Sequence, residues 1–184
     1  PRLLLLSSSY SMSRSLPQIA QPILAMARNQ LNESVSLAVL DGDFVLFVAR
    51  AEAERLVSTR ISLGTRMPAY SLAVGRVLIG PWSDEKLRAY LRETKLDALT
   101  KYSMIRKGQL FDAVRKAQEI GYSSTDEELD YGMRSIAVPV TDSRGQIVGS
   151  MGVSASTSRV TMQQMVKEFL PVMREHAAKL GRGL

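Results

Sequence analysis

The sequence predicts an α+β domain in which helices pack on a largely antiparallel sheet. Two segments, residues 34–51 and 133–155, alternate between large apolar and small or polar residues, and turn-forming residues interrupt each of them. Apolar residues recur at helical spacing before, between and after these segments. Strands that cluster in sequence, apart from the helices, are typical of an antiparallel sheet with helices on its surface.

Length and composition restrict the class of protein. A chain of 184 residues is long enough for one domain with its own core. The absence of cysteine excludes disulfides and cysteine metal sites, and no apolar run approaches the ~20 residues of a membrane span. The formal charge of +6 comes from basic residues scattered among acidic ones, which favours a solvated surface over a nucleic-acid site. We therefore expect a soluble, cytoplasmic protein without membrane contacts.

The N-terminal region divides into a connector and a helix. Residues 1–15 are rich in serine and begin without methionine, so we interpret them as a connector, or as the end of a helix, within a longer chain. Apolar residues at helical spacing predict a helix over residues 16–32. Pro17 suits its first turn, and Pro22 falls within or just after that turn.

Local signals predict the remaining elements. Asp41-Gly42-Asp43 indicates a tight turn between two strands of residues 34–51, and residues 56–61 form a third predicted strand. A loop ending near Pro68 and a short helix through residues 77–79 follow. Later helices are expected over residues 85–94, 109–120 and 162–180. Ser83 or Asp84 should cap the start of the first of these helices, and Gly121 should end the second. Pro171 lies inside the third helix and should kink it. Residues 95–107 show no decisive pattern.

The hairpin of residues 133–155 has two chemically different faces, because successive side chains of a strand point in opposite directions. One face is bulky and apolar, with Arg134 at its start, and it is suited to helix packing; its members are Ile136, Val138, Val140, Met151 and Val153. The other face consists of small or hydroxyl residues: Ser135, Ala137, Pro139, Ser150, Gly152 and Ser154. This small-residue face either borders a ligand pocket or meets another backbone closely, and the pattern favours neither alternative.

Catalytic and metal sites find little support in the residue spacing. The single histidine, His176, has no nucleophile or orienting acid at a suggestive spacing, so we expect it at the surface. Asp126, Glu127, Glu128 and Asp130 form a dense acidic group, which is better explained by turn capping and pairing with Arg134 than by acid/base chemistry. We therefore predict no catalytic residue, no metal and no cofactor.

A ligand pocket is the functional feature that the residues favour. Its expected lining is the small-residue face, the strand of residues 56–61 and the helix start at Ala73 and Val74. Arg60 and Arg66 are candidate partners for a ligand carboxylate, since the guanidinium fork matches that group, although each is also explained as a surface arginine.

Several motifs, in order, resemble one family. The run Gly132-Met133-Arg134-Ser135-Ile136-Ala137-Val138-Pro139-Val140, with Gly121-Tyr122, Glu127 or Glu128 before it and Gly145 after it, resembles the C-terminal signature of IclR-family transcriptional regulators. Gly64-Thr65-Arg66-Met67-Pro68-Ala69-Tyr70 and Gly75-Arg76-Val77-Leu78 look like that family's pocket-and-helix motif. Tyr102-Ser103-Met104-Ile105, residues 126–135 and Phe169-Leu170-Pro171 are similar to the subgroup that regulates protocatechuate, 4-hydroxybenzoate and β-ketoadipate catabolism.

The resemblance implies a GAF-like effector-binding domain at residues 16–184. Residues 1–15 would then link it to an N-terminal winged helix-turn-helix, which alone would bind DNA, in a homodimer or dimer of dimers. By the same resemblance the pocket maps onto Leu56, Met67, Ala73, Val74, Thr125, Ser135, Gly152 and Ser154. Tyr70, where many members have histidine, and Ser135, where some have cysteine, depart from the broader family and affect which ligand fits.

Together these observations predict a non-enzymatic sensor of a small carboxylate, either an aromatic acid or a ring-cleavage product such as β-ketoadipate. The predicted ligand-binding residues are those of the mapped pocket together with Arg60, Tyr70 and Arg134. Two alternatives remain open. One is a small hydrolase or isomerase that uses Asp126 or Glu128 with Ser135, and the other is an oligomerisation module whose small-residue face is packed shut.

Overall fold

The computed structural model describes residues 2–54 and 62–184, with side chains from residue 16 onward. The strand predicted for residues 56–61 lies outside the described residues, and so do the predicted site residues Leu56 and Arg60. Within the described chain a six-stranded, antiparallel sheet has the order β3-β2-β1-β6-β5-β4. Its strands are β1 Ser34–Asp41, β2 Phe44–Ala51, β3 Arg66–Pro68, β4 Ser123–Asp126, β5 Met133–Thr141 and β6 Ile147–Ser156.

Helices cover both faces of the sheet, as the α+β prediction requires. They are α1 Arg2–Leu31, α2 Ala73–Ile79, α3 Asp84–Glu93, α4 Lys107–Ile120, α5 Met162–Gln164 and α6 Leu170–Arg182. A 3₁₀ turn, Ala69–Ser71, precedes α2, and a π-helical turn, Met165–Phe169, joins α5 to α6. The residues between α3 and α4 form neither helix nor strand.

The two predicted hairpins are confirmed. β1 pairs with β2 across the turn at Gly42, and β5 pairs with β6. β1 also pairs with β6, which joins the two hairpins into one sheet. The short edge strands β3 and β4 were not predicted, since three or four residues show little alternation.

The bulky face of the sheet is covered by α1 and α6, as predicted. Their shared core is fully or nearly fully buried and includes Ala20, Leu24, Ile136, Val138, Met151, Val153, Met173 and Leu180. A second core lies on the small-residue face beneath α2, α3 and α4, and includes Ala38, Phe47, Val74, Val77, Leu87, Leu110, Val114 and Ala137. Thus α1 and α6 pack on the bulky face, and α2, α3 and α4 pack on the small-residue face.

Helix α1 begins at Arg2 rather than near residue 16, so Pro17 and Pro22 lie inside it and the first-turn assignment was wrong. A proline within a helix removes one backbone donor and weakens the helix. Burial of Ala20, Leu24 and Ala27 against the sheet outweighs that local cost.

The predicted kink near Pro171 takes the form of the π-helical turn Met165–Phe169, which ends two residues before that proline. A π turn adds one residue and rotates the following face of the helix. Met165 and Phe169 remain buried, whereas Val166, predicted to face inward, is exposed. The other predicted ends hold: Ser83 caps α3 by accepting a hydrogen bond from Lys86 N (3.2 Å), and Gly121 ends α4 in the left-handed conformation.

Candidate functional site: a cavity on the small-residue face

A cavity lies between the small-residue face and the segment leading into α2. The centre of a water molecule can reach about 30 Å³ of it, and the space between the atoms, open mouth included, amounts to about 480 Å³. The site is therefore narrow and suited to a small ligand. The lining comprises Ser36, Phe47, Leu72, Ala73, Val74, Thr125, Leu129, Met133, Ser135, Ile136, Gly152 and Ser154.

Strand register places hydroxyl residues side by side on this face. Thr125 on β4 lies opposite Ser135 on β5, Ser135 lies opposite Ser154 on β6, and Ser154 lies opposite Ser34 on β1. The hydroxyls of Ser135 and Ser154 are 2.8 Å apart and share a hydrogen bond. Each hydroxyl has one proton, so this pair retains one donor for a ligand.

The apolar side of the cavity is formed by α2 and the residue before it. A Cβ added to Gly152 would lie 2.6 Å from Cγ1 of Val74, so glycine allows α2 to approach the sheet closely. Both sequence-based alternatives for the small-residue face therefore apply: it meets α2 closely at Gly152 and borders a cavity beside it. Phe47 on β2 and Leu129 add apolar surface.

Residues 126–132, here called the acidic loop, form one wall of the cavity through Leu129. The Arg76 guanidinium on α2 donates two hydrogen bonds to the Glu128 carboxylate, at 3.2 and 2.5 Å, and both side chains are largely buried. Hydroxyls of Thr100 and Ser103 donate to the backbone oxygens of Glu127 and Glu128, at 2.5 and 2.6 Å. The irregular segment between α3 and α4 thus holds the acidic loop in place.

Six of the predicted site residues line the cavity: Ala73, Val74, Thr125, Ser135, Gly152 and Ser154. Met67 packs against the core of α2, outside the lining. Tyr70 lies in the 3₁₀ turn before α2, outside the lining; its backbone oxygen accepts from Arg76 Nε (3.0 Å), and its hydroxyl accepts from Asp97 N (3.0 Å).

The described arginines that were candidates for a carboxylate clamp are engaged elsewhere. Arg134 projects from the opposite face of β5, pairs with Asp126 at 3.0 Å and donates to the backbone oxygen of Val160. Arg66 pairs with Asp41 at 2.9 Å at the surface. None of the described residues that line the cavity has a charged side chain.

Six lining residues were not predicted: Ser36, Phe47, Leu72, Leu129, Met133 and Ile136. The signal for Ser36 was available, because Ser34, Ser36 and Ala38 alternate with Val35, Leu37 and Val39 as the second hairpin does. Leu129 had no such signal, since its position depends on the ion pair of its neighbour Glu128.

The structure tests two expectations about titratable groups, one for the acidic residues and one for His176. The predicted pairing with Arg134 is confirmed for Asp126, whereas Glu128 pairs with Arg76 instead. The expectation of a surface His176 was wrong: it is buried, and its Nε2 lies 3.2 Å from Gln30 Oε1 on α1. α6 packs directly on α1, and burial lowers the pKa of His176.

A second concavity lies beside α6, between Arg174, Arg182 and the end of β5, with about 630 Å³ open to water. Arg174 already donates to the backbone oxygen of Ile120 (2.8 Å) and stacks over Tyr122. The described residues contain no group of three acidic or histidine side chains suited to a metal. Across the same residues, no helix has the length and apolarity to span a membrane.

An antiparallel sheet with helices on both faces and a cavity beneath one helical layer defines a GAF-like ligand-binding domain. Residues 8–182 match the family model for the bacterial transcriptional regulator IclR C-terminal domain, so the chain belongs to this family of effector-binding domains.

Similar proteins include two transcriptional regulators. The chain is 38% identical over 174 residues to a Pca regulon regulatory protein of Pseudomonas putida, covering 94% of this chain and 60% of the relative. It is 30% identical over 184 residues to a p-hydroxybenzoate hydroxylase transcriptional activator of Acinetobacter baylyi, covering 97% and 68%. The chain thus spans 60% and 68% of the lengths of these two relatives.

A solved structure has the same fold. It is the inducer-binding domain of a double mutant of the PobR transcription factor from Acinetobacter, in complex with 3-hydroxybenzoic acid. The TM-score is 0.86 at 27% identity, over 91% of this chain and 98% of that one.

Proposed function

We propose that this domain senses a small organic acid, an aromatic acid or a ring-cleavage product such as β-ketoadipate, for a DNA-binding transcriptional regulator. The observation that supports it most is the narrow cavity with hydroxyl groups on the sheet side and apolar groups opposite. A ring or aliphatic chain would contact Phe47, Leu72 and Val74. The oxygens of the acid would contact hydroxyls of the sheet.

The Pca and p-hydroxybenzoate relatives support this chemical class, and so does the 3-hydroxybenzoic acid held by the PobR domain. The acid would accept hydrogen bonds from Thr125 and from the free donor of the Ser135–Ser154 pair. A hydrogen bond to a charged group contributes about 1.5–3 kcal/mol, which offsets part of the desolvation cost of a carboxylate. Arg60, outside the described residues, remains the proposed opposite charge.

Signalling would follow from the way in which the ligand stabilises one arrangement of the domain. A ligand shifts a conformational equilibrium only by its difference in affinity for the two states. The acidic loop is the element through which we propose that this difference arises, because Leu129 contacts the cavity while Glu128 is fixed to α2.

We further propose that the domain acts in a homodimer or dimer of dimers and has no catalytic role. Both Asp126 and Glu128, the carboxylates of the enzymatic alternative, are bound to arginines. Met165 and Met173 are fully buried in the domain's own core, so a dimer interface would use other residues. Light scattering tests the dimer, and a concentration-independent monomer would contradict it. Turnover of a bound acid would contradict the non-catalytic role.

The test is a calorimetric titration of 4-hydroxybenzoate, protocatechuate and β-ketoadipate into the wild-type domain and a Ser135→Leu variant. Leucine at residue 135 fills the cavity, so binding should be lost. Ser143→Leu places the same side chain on the exposed β5–β6 turn and should bind as the wild type does. Circular dichroism verifies that both variants fold. Undiminished affinity in Ser135→Leu would exclude this cavity as the site.

A further inference from the structure

The hydroxyl of Ser36 belongs to a cavity-lining residue and has no hydrogen-bond partner among the described residues. Ser36 is 8% exposed and lines the cavity from β1. Its oxygen is not among the fully buried polar atoms that lack a partner, so it is open to the cavity, where water or a ligand can pair with it. Its neighbours on the same face are paired: Ser34 Oγ accepts from Ala53 N (3.1 Å), and Ser150 Oγ donates to Val138 O (3.1 Å).

Packing alone does not require a hydroxyl at this position. Ala38, two residues further along β1 on the same face, is fully buried in the apolar core beneath α2. Alanine at residue 36 would fill nearly the same volume without a hydroxyl. Because Ser36 lines the cavity, its hydroxyl is available to a group in the space that a ligand would occupy.

Strand register fixes the distance between Ser36 and the proposed acid-binding hydroxyls. Ser36 lies opposite Gly152, and Ser154 follows Gly152 by two residues on β6. Such diagonal neighbours are about 7–8 Å apart. That separation corresponds to a six-membered ring, or a short stretch of aliphatic chain, between two polar atoms.

We propose that Ser36 determines specificity by hydrogen-bonding a second polar group, a hydroxyl or an oxo group, on an acid whose carboxylate lies near Ser135 and Ser154. This inference rests on the proposed function and narrows it to acids that have such a group. A site whose buried hydroxyl is meant for a ligand rejects an analogue that lacks the matching group, because the protein hydroxyl is then unpaired.

The test uses two pairs of acids that differ by a single polar group: 4-hydroxybenzoate with benzoate, and β-ketoadipate with adipate. Affinities are measured by calorimetry for the wild-type domain, for Ser36→Ala and for Ser150→Ala. Ser150→Ala is the matched control, because it removes a buried hydroxyl from the same face outside the cavity lining.

The wild type should prefer the substituted member of at least one pair. Ser36→Ala should reduce that preference about 2- to 10-fold, the value of one neutral hydrogen bond, while binding of the unsubstituted acid stays within about two-fold. Ser150→Ala should leave the preference unchanged. A Ser36→Ala variant that keeps the preference, or weakens both members of the pair equally, would overturn the role of Ser36 and leave the proposed function intact. Failure of all four acids to bind the wild type would overturn both.

Discussion

Removing one partner of the ion pair between Arg76 and Glu128 should be unusually costly for a charge pair. Their side chains are 3% and 10% exposed, and the guanidinium makes two hydrogen bonds to the carboxylate. The two residues are 52 positions apart and join α2 to the acidic loop. Glu128→Gln keeps the shape of the side chain but leaves the arginine charge buried and uncompensated.

Removing one partner of a buried ion pair typically costs about 3–5 kcal/mol, a large part of the ~5–15 kcal/mol that stabilises a domain. We therefore expect Glu128→Gln to lower the free energy of unfolding by about 3 kcal/mol. Asp126→Asn is the matched control on the same loop. Its carboxylate also pairs with an arginine, Arg134, but is 47% exposed, so its loss should cost less than about 1 kcal/mol.

Urea unfolding followed by circular dichroism measures both losses. A double variant, Arg76→Met with Glu128→Leu, removes both charges and should recover most of the stability, apart from about 1 kcal/mol for the lost hydrogen bond from Arg76 Nε to Tyr70 O. If Glu128→Gln costs no more than Asp126→Asn, the pair does not hold the acidic loop and the reasoning fails.

Two further predictions concern packing and pH. Gly152→Ala should lower the free energy of unfolding in urea by about 1–3 kcal/mol, because its Cβ would lie 2.6 Å from Val74 Cγ1. Adding Val74→Ala should restore part of that free energy. An unchanged unfolding midpoint for Gly152→Ala would show that α2 shifts freely. Burial lowers the pKa of His176, whose Nδ1 is buried without a partner in the described chain, so the folded domain favours the neutral imidazole. Stability should be full above the ordinary pKa of 6.5 and decline as the pH falls below it, and His176→Gln should flatten that decline; equal slopes between pH 7 and 5 would contradict the prediction.

Features encoded by neighbouring residues were predictable. The strands of both hairpins follow from the alternation of large and small side chains, and the end of α4 follows from Gly121. The start of α1 was not predictable, since Pro17 has the same preference for a first turn wherever the helix begins. The edge strands β3 and β4 exist because a neighbouring strand pairs with them, and their own sequences do not show it.

In the candidate site, too, some residues were predictable from local sequence and others were not. Ser135, Gly152 and Ser154 were found because they share one face of a predicted hairpin. Leu129 was not found, because its place in the cavity wall depends on the contact of Glu128 with Arg76, which is distant in sequence. A buried ion pair between residues far apart in sequence has no local signature, so arginine at residue 76 could not be distinguished from a surface arginine.

The most direct test of the central claim is a crystal structure of the domain with the acid that binds most tightly among 4-hydroxybenzoate, protocatechuate and β-ketoadipate. The ligand should lie between the small-residue face and α2, with its carboxylate within hydrogen-bond distance of Ser135 or Ser154 and its ring or chain against Val74. A ligand bound beside α6 at Arg174, with the cavity closed, would contradict the account.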